Sequence, residues 1–204
     1  VWDKSFGGSA EDAMEDVIQT TDGGFLLAGY SFSGQTGNKT SPFYGGTEFG
    51  DGWLVRLDAN GTFVCDTTYG GTGSDTLENI RQLPDNGFVV SGFSSSGQSG
   101  NKISPEYGDY DAWVLRLDAS GTVVWDQTCG GSGFDESYRI VPTTDGGFAL
   151  GTHSASTDGN KTSPCFGSTD YWIVRLDTNG VPSWQHTFGG SGTDNLRFVA
   201  ATHD

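Results

Sequence analysis

The sequence predicts an all-β protein made of repeated four-stranded antiparallel sheets. One pattern recurs along the chain at spacings of 63, 60 and 59 residues, which separate Trp2, Cys65, Trp125 and Trp184. The 33 glycines and 13% aromatic residues are typical of short strands joined by tight turns. One predicted strand in each repeat is apolar on both faces, so each sheet requires a neighbour on either side. Together these observations favour a segment of a β-propeller, with a β-trefoil or an open β-solenoid as alternatives.

Each repeat divides into four predicted strands and one long loop. An Asp-Gly or Asn-Gly turn follows the first strand, and these residues accept the positive φ that a tight hairpin requires. The second strand enters the long loop, the third strand carries Asp-x-Trp, and a second hairpin leads to the fourth strand. The predicted first strands are 17–21, 80–84 and 140–144, the second strands 25–29, 88–92 and 148–151, the loops 31–50, 94–110 and 154–169, and the third strands 53–57, 113–117 and 172–176.

The third strand supplies the main argument for stacked blades. Trp53, Val55 and Leu57 point one way, while Leu54 and the aliphatic stem of Arg56 point the other. A sheet with two apolar faces is stable when copies of itself cover both faces, as in a propeller.

The repeats define the expected domain organisation. Residues 1–204 are predicted to form one repeat domain or a fragment of a propeller, with repeats at about 2–64, 65–124 and 125–183 and a partial repeat at 184–204. A lone fourth strand is predicted at 1–8 and a lone first strand at 196–201. We therefore expect a segment of a longer protein, in which further blades from the same or another chain complete a ring.

The amino-acid composition limits which binding partners and which metal sites are plausible. A formal net charge of −16 argues against binding to nucleic acid, and the chain has no apolar run long enough to span a membrane. The acidity indicates either simple solubility or a calcium-rich extracellular setting. Cys65, Cys129 and Cys165 have no zinc-site spacing, and a Cys129–Cys165 disulfide and three unpaired thiols stay open as alternatives.

Several residues recur so regularly that a structural role is expected. The tryptophans are predicted to pack between blades, the third-strand arginines to pair with carboxylates in or beside their own blade, and one aspartate per repeat to brace the crossover between blades. These residues are Trp2, Trp53, Trp113, Trp125, Trp172 and Trp184; Arg56, Arg116 and Arg175; and Asp12, Asp75, Asp135 and Asp194. Cys65 replaces a tryptophan, which predicts a looser contact there.

The long loop is the candidate ligand-binding region. Its Gly-Asn-Lys motif and aromatic residues suit a polar ligand such as a glycan, although a structural role at the edge of the blade is the favoured interpretation. The candidate ligand-binding residues are Asn38, Lys39, Tyr44, Asn101, Lys102, Tyr107, Asn160, Lys161 and Phe166. Weak candidates for a metal site, with calcium as the expected ion, are Asp51, Asp111 and Asp170. No other cofactor is expected.

The pattern does not predict catalysis. His153, His186 and His203 occupy unrelated positions and have no local catalytic motif around them, so each is interpreted as an ordinary surface or packed histidine. Residues 117–125 are similar to a docking stretch of quinoprotein blades, but those blades are usually shorter and the expected vicinal cysteines are absent. The sequence therefore predicts a non-enzymatic protein.

The combined motif resembles the β-propeller repeats of large secreted bacterial surface proteins. It reads Asp-Gly-Gly-Phe, then Gly-Asn-Lys-Thr-Ser-Pro, then Asp-x-Trp-x-x-Arg-Leu-Asp, and closes with Trp and Gly-Gly, over essentially the whole chain. The resemblance implies a propeller-like fold at an extracellular or cell-surface location. We therefore expect a scaffold, adhesion or ligand-display module that binds a protein or glycan. The alternatives are blades of a larger extracellular enzyme and a building block of a surface assembly.

Overall fold

The predicted all-β class with four-stranded antiparallel sheets is confirmed. A computed structural model describes residues 2–46 and 50–202, which form three separate sheets of four strands. The strands are β1 Asp12–Gln19, β2 Phe25–Ser31, β3 Asp51–Leu57, β4 Phe63–Tyr69, β5 Asp75–Gln82, β6 Phe88–Ser94, β7 Asp111–Leu117, β8 Val123–Cys129, β9 Asp135–Pro142, β10 Phe148–Ser154, β11 Asp170–Leu176 and β12 Pro182–Phe188.

Each sheet is a meander whose strands follow chain order, and we name the sheets blade 1, blade 2 and blade 3. Blade 1 contains β1 to β4, blade 2 contains β5 to β8, and blade 3 contains β9 to β12. The three blades resemble those of a propeller but do not close a ring. Because the repeat starts at Trp or Cys65 inside a fourth strand, each blade takes its last strand from the beginning of the following repeat.

The first strands begin earlier than predicted. β1 starts at Asp12 because a bulge between Met14 and Asp16 shifts the register, and Asp12 then pairs with Ser31 at the end of β2. Blades 2 and 3 have the same irregularity near the start of β5 and β9. The bulge places an aspartate at the crossover into each blade.

Apolar side chains of one blade pack against the opposite face of the next. Leu26, Ala28, Leu54 and Tyr69 of blade 1 join a core with Leu77, Ile80 and Trp113 of blade 2. Val114 and Cys129 of blade 2 join a second core with Ile140 and Trp172 of blade 3. The two-faced third strand is therefore buried on both sides in blade 2.

The predicted lone strands at the two ends are wrong for the described residues. No strand is formed in 2–8 or in 195–202, since neither segment has a sheet to supply backbone hydrogen bonds. Both segments still pack on the blades: Phe6 stacks with Phe63, and a side chain added to Gly151 would meet Leu196 and Val199 at 3.0 Å. Val1 and residues 203–204 lie outside the described residues.

The tryptophans differ in burial. Trp53, Trp113 and Trp172 are buried, whereas Trp2 and Trp184 are about half exposed. Trp125 reaches the next blade, where its ring meets Phe148 at 5.8 Å and covers Gly180. All six were expected to pack between blades, and Trp184 lacks that cover because no sheet lies beyond β12 in the described residues.

Tyr69 occupies the contact that Cys65 leaves open. Its hydroxyl donates to the carbonyl of Gly121, and Gly121 is equivalent to the glycines covered by Trp2 and Trp125. A groove lined by Cys65, Arg56 and Ala119 remains beside it. All three cysteines have free thiols.

Candidate functional site

The asparagine of each long loop fastens that loop to the crossover before its blade. Asn101 accepts a hydrogen bond from the Gly70 N–H at 2.9 Å and donates to the Thr68 carbonyl at 2.8 Å. Asn38 makes the equivalent hydrogen bonds to Gly7 and Ser5, and Asn160 makes them to Gly130 and Thr128. These side chains therefore join one repeat to the next.

The loop lysines point inward. Lys39, Lys102 and Lys161 are each about 97% buried or more, and each ammonium lies under 6 Å from the centroid of the third-strand tryptophan. Lys102 Nζ donates to the carbonyl and hydroxyl of Ser104 and to Thr128 Oγ1 at 2.9–3.1 Å. Burial lowers the pKa of Lys102, and Asp126 opposes that shift.

A carboxylate on the fourth strand completes this network. Asp126 Oδ2 accepts from the Ser104 hydroxyl at 2.8 Å and from the Trp113 indole N–H at 2.9 Å. Asp66 plays the same role for Ser41 and Trp53 in blade 1. In blade 3, the neutral Gln185 accepts from Trp172 at 3.1 Å. The Gly-Asn-Lys motif thus fixes the loop to its blade.

Most of the predicted ligand-binding residues are consequently used by the fold. The asparagines and lysines are held in internal hydrogen bonds, and their contact with a ligand stays a prediction. Tyr44 is half-buried, and its ring lies against Gly100 of the neighbouring loop. Only Tyr107 and Phe166, 38% and 54% exposed, present large surfaces.

Two sets of aspartates meet at the crossovers. Asp75, Asp135 and Asp194 each accept from the second glycine of the Gly-Gly pair at 2.8–2.9 Å, as does Asp12. Asp51, Asp111 and Asp170 each accept from loop N–H groups at 2.5–3.3 Å. Burial and then the neighbouring Asp75 raise the pKa of Asp51 to about 7, and burial and Asp135 raise that of Asp111 to about 6. No group of three or more His, Cys, Asp or Glu side chains in 2–46 and 50–202 is placed to hold a metal ion.

The arginines pair with the aspartate of the first hairpin in their own blade. Arg56 contacts Asp22 at 3.0 Å, and Arg116 and Arg175 contact Asp85 and Asp145 in the same manner. A hydrogen bond from Thr20, followed by those from Gly24 and Arg56, lowers the pKa of Asp22 to about 2.

A different set of side chains gathers where the repeat pattern is broken. The rings of Phe93, Tyr110, Phe134, His153 and Tyr138 form a chain of contacts with centroids 5.5–5.8 Å apart. They lie at the starts of β7 and β9 and near the ends of β6 and β10. The guanidinium of Arg197 lies 5.1 Å above the Tyr138 ring. We name these five rings, together with Glu78 and Glu136, the aromatic-acidic cluster.

Two carboxylates give this cluster its electrostatic character. Glu136 accepts from the Tyr138 hydroxyl at 2.6 Å and lies 3.4 Å from His153 Nε2. Burial raises the pKa of Glu78 to about 7, and the charges of Glu15 and Glu136 add to this shift. Burial also lowers the pKa of His153, which favours the neutral imidazole. The cluster combines partly exposed rings with carboxylates able to accept or donate hydrogen bonds.

The sequence offered a signal for this cluster that the search for recurring residues passed over. Phe134 corresponds to Ser74 in blade 2, and Glu136 corresponds to Thr76. His153, interpreted as an ordinary packed or surface histidine, is packed between Phe134 and Tyr138. Comparing equivalent positions for differences, rather than for identity, would have singled out these residues.

No protein-family model matches the chain, and no curated protein matches it either. Among the described residues there is no helix with the length and apolar character to cross a membrane.

Proposed function

We propose that this chain is a non-enzymatic extracellular repeat module that displays a ligand-binding surface on a rigid scaffold, at a cell surface or in a secreted protein. The observation that carries the proposal is that recurring residues and non-recurring residues have different roles in the fold. Side chains that recur in every repeat hold loops and blades together, whereas Phe134, Glu136 and His153 of the aromatic-acidic cluster differ from their equivalents in blade 2.

The chemistry of the cluster favours a glycan or a protein segment as the ligand. Aromatic rings provide rigid apolar area, and carboxylates and hydroxyls provide directional hydrogen bonds, a combination common in binding surfaces. Phe134 is 37% exposed and stacks on buried His153, so its ring is both accessible and held in place.

A glycan array with the purified chain tests this function. Phe134→Ala is expected to weaken binding at least about tenfold, the loss of one well-packed contact group. Phe188→Ala removes an exposed ring from the end of β12, outside the cluster, and serves as the matched control, with binding unchanged. Turnover of a bound sugar that Glu78→Gln abolishes would instead favour the alternative of blades from a larger glycan-active enzyme.

A second candidate function, a building block of a surface assembly, is favoured by the exposed apolar faces of the end blades. Val17 is 48% exposed and Phe188 is 57% exposed, although their equivalents Ile80 and Cys129 are fully buried between blades. Light scattering over a range of concentrations tests this function. A monomer at every concentration would count against it.

A further inference from the structure

The buried polar atoms that lack a hydrogen-bond partner are concentrated at the blade crossovers. Eight such side-chain atoms occur in the described residues, and five of them lie at three equivalent places. These five are Oδ1 of Asp51, Asp111, Asp135 and Asp170 and Oγ1 of Thr169. A buried carboxylate oxygen without a partner is costly, and its recurrence in equivalent positions indicates a common missing partner.

The crossover between blades 2 and 3 shows the arrangement. A Cβ added to Gly130 would lie 2.0 Å from Asp111 Oδ1 and 2.8 Å from Asp135 Oδ2. The two carboxylates, one from each blade, therefore converge on the same glycine. The Asp111 side chain is fully buried, and its Oδ2 is already held by the Tyr107 N–H. Its free Oδ1 faces the carboxylate of the next blade.

The crossover that follows blade 3 repeats this geometry. A Cβ added to Gly189 would lie 2.0 Å from Asp170 Oδ1 and 2.9 Å from Asp194 Oδ2. Between blades 1 and 2, Asp75 lies against Gly70. The buried Asp51, whose Oδ1 has no hydrogen-bond partner, is close enough for the charge of Asp75 to raise its pKa. Glycine is required at each place because a side chain would displace the carboxylates.

We propose that each crossover binds a calcium ion between the aspartate that begins the third strand of one blade and the aspartate that begins the first strand of the next. Calcium prefers oxygen ligands and flexible coordination, and a divalent cation neutralises two facing carboxylates. With two carboxylates per site and the remaining ligands from water or main-chain oxygens, we expect dissociation constants of about 0.1–1 mM, the range of extracellular modules. The paired residues are Asp51 with Asp75, Asp111 with Asp135, and Asp170 with Asp194.

The test uses the full chain, first freed of metal with a chelator and then titrated with calcium chloride. At 10 mM calcium, the midpoint of thermal unfolding is expected to rise by about 3–5 °C for each site that fills. Magnesium chloride at the same concentration controls for screening of the net charge, and its effect is expected to be smaller because magnesium demands a stricter octahedral shell. Equal shifts with the two salts would overturn the proposal.

Matched variants assign the effect to the crossovers. Asp111→Asn is expected to lose the calcium shift of one site, whereas Asp109→Asn, which removes an exposed charge two residues earlier, keeps the full shift. Without calcium, Asp111→Asn is expected to unfold at or above the wild-type temperature, because an amide can donate to Asp135. Asp51→Asn repeats the measurement at another crossover. If the Asn variants keep the wild-type calcium shift, the proposal is wrong.

A shared proton is the competing occupant of each carboxylate pair. If calcium has no effect, and lowering the pH from 8 to 5 raises the unfolding midpoint of the wild type more than that of Asp111→Asn, a proton holds the pair and calcium does not. That result would overturn the calcium site while leaving the proposed function of the aromatic-acidic cluster untouched.

Discussion

The closed junctions between blades and the open faces at the two ends contain the same kinds of residue in opposite environments. Ile80 and Ile140 are fully buried in the first strands of blades 2 and 3, while Val17 in blade 1 is 48% exposed. Tyr69 is buried at the end of a fourth strand, while the equivalent Phe188 is exposed. Burial at these positions is therefore decided by the presence of an adjacent blade and not by the residue.

The polar network differs between blade 2 and blade 3. Lys102 of blade 2 donates to Thr128 and lies near Asp126, whereas Lys161 of blade 3 donates, within the described part of the chain, to the carbonyls of Ser163 and Pro164. Gln185 replaces the aspartate in blade 3. Blade 3 thus retains the loop geometry without the carboxylate, whereas blade 1 has Asp66 at this position.

The largest expected difference concerns the tryptophans. Trp113→Ala, in the core between blades 1 and 2, should reduce the free energy of unfolding by about 3–5 kcal/mol, because a large cavity forms in a packed core. Trp184→Ala, on the open face of blade 3, should cost less than about 1 kcal/mol. Chemical denaturation measures both changes in the free energy of unfolding. Equal losses in the two variants would contradict the proposed difference between closed and open faces.

The loop lysines give the next largest difference. Lys102→Met should reduce the free energy of unfolding by about 1–3 kcal/mol, because Asp126 and several buried acceptors lose their cationic neighbour. Lys161→Met should cost less, since its blade has Gln185 in place of that carboxylate. Urea titrations of the two variants make the comparison, and a larger loss at Lys161 would contradict it.

Glu78 gives an intermediate effect that depends on pH. Its pKa of about 7 in the folded chain lies above the ordinary 4.5, so the folded state holds the proton more tightly. The stability that this group contributes is present at low pH and is lost as the pH rises through 4.5 to 7. Between pH 5 and pH 8 the loss should be about 1–3 kcal/mol.

Glu78→Gln should flatten this part of the pH profile, as measured by unfolding at the two pH values. Glu15→Gln, at the equivalent and exposed position of the open blade, should change the profile less. A larger flattening from Glu15→Gln would show that burial between blades does not govern the titration of Glu78.

The smallest expected effect concerns the contact between blades 1 and 2 beside Cys65. Tyr69→Phe removes the hydroxyl that donates to Gly121, so it should cost about 0.5–1.5 kcal/mol. Thermal unfolding measures the loss. An unchanged midpoint would indicate that the Tyr69 ring alone compensates for the tryptophan that is missing at position 65.

Much of the fold followed from local patterns, and the candidate site did not. The turns were predictable because they need residues that accept positive φ: Gly23, Asn86 and Gly146 have φ of 84°, 64° and 86°. The sequence predicts Asn101 and Lys102 as candidate ligand-binding residues, but their hydrogen-bond partners in the fold lie about 30 residues away in sequence. No local pattern shows whether such a side chain meets a ligand or another strand.

The sequence by itself determined the four-stranded antiparallel unit, its turns and the two apolar faces of its third strand, because strand alternation and turn chemistry act over a few residues. Only the tertiary structure decided which tryptophans are covered, which loop residues are consumed by the fold, and where Phe134, Glu136 and His153 come together. These outcomes depend on contacts between different blades. Such contacts join residues far apart in the chain, and their energy is set by what each face finds opposite it.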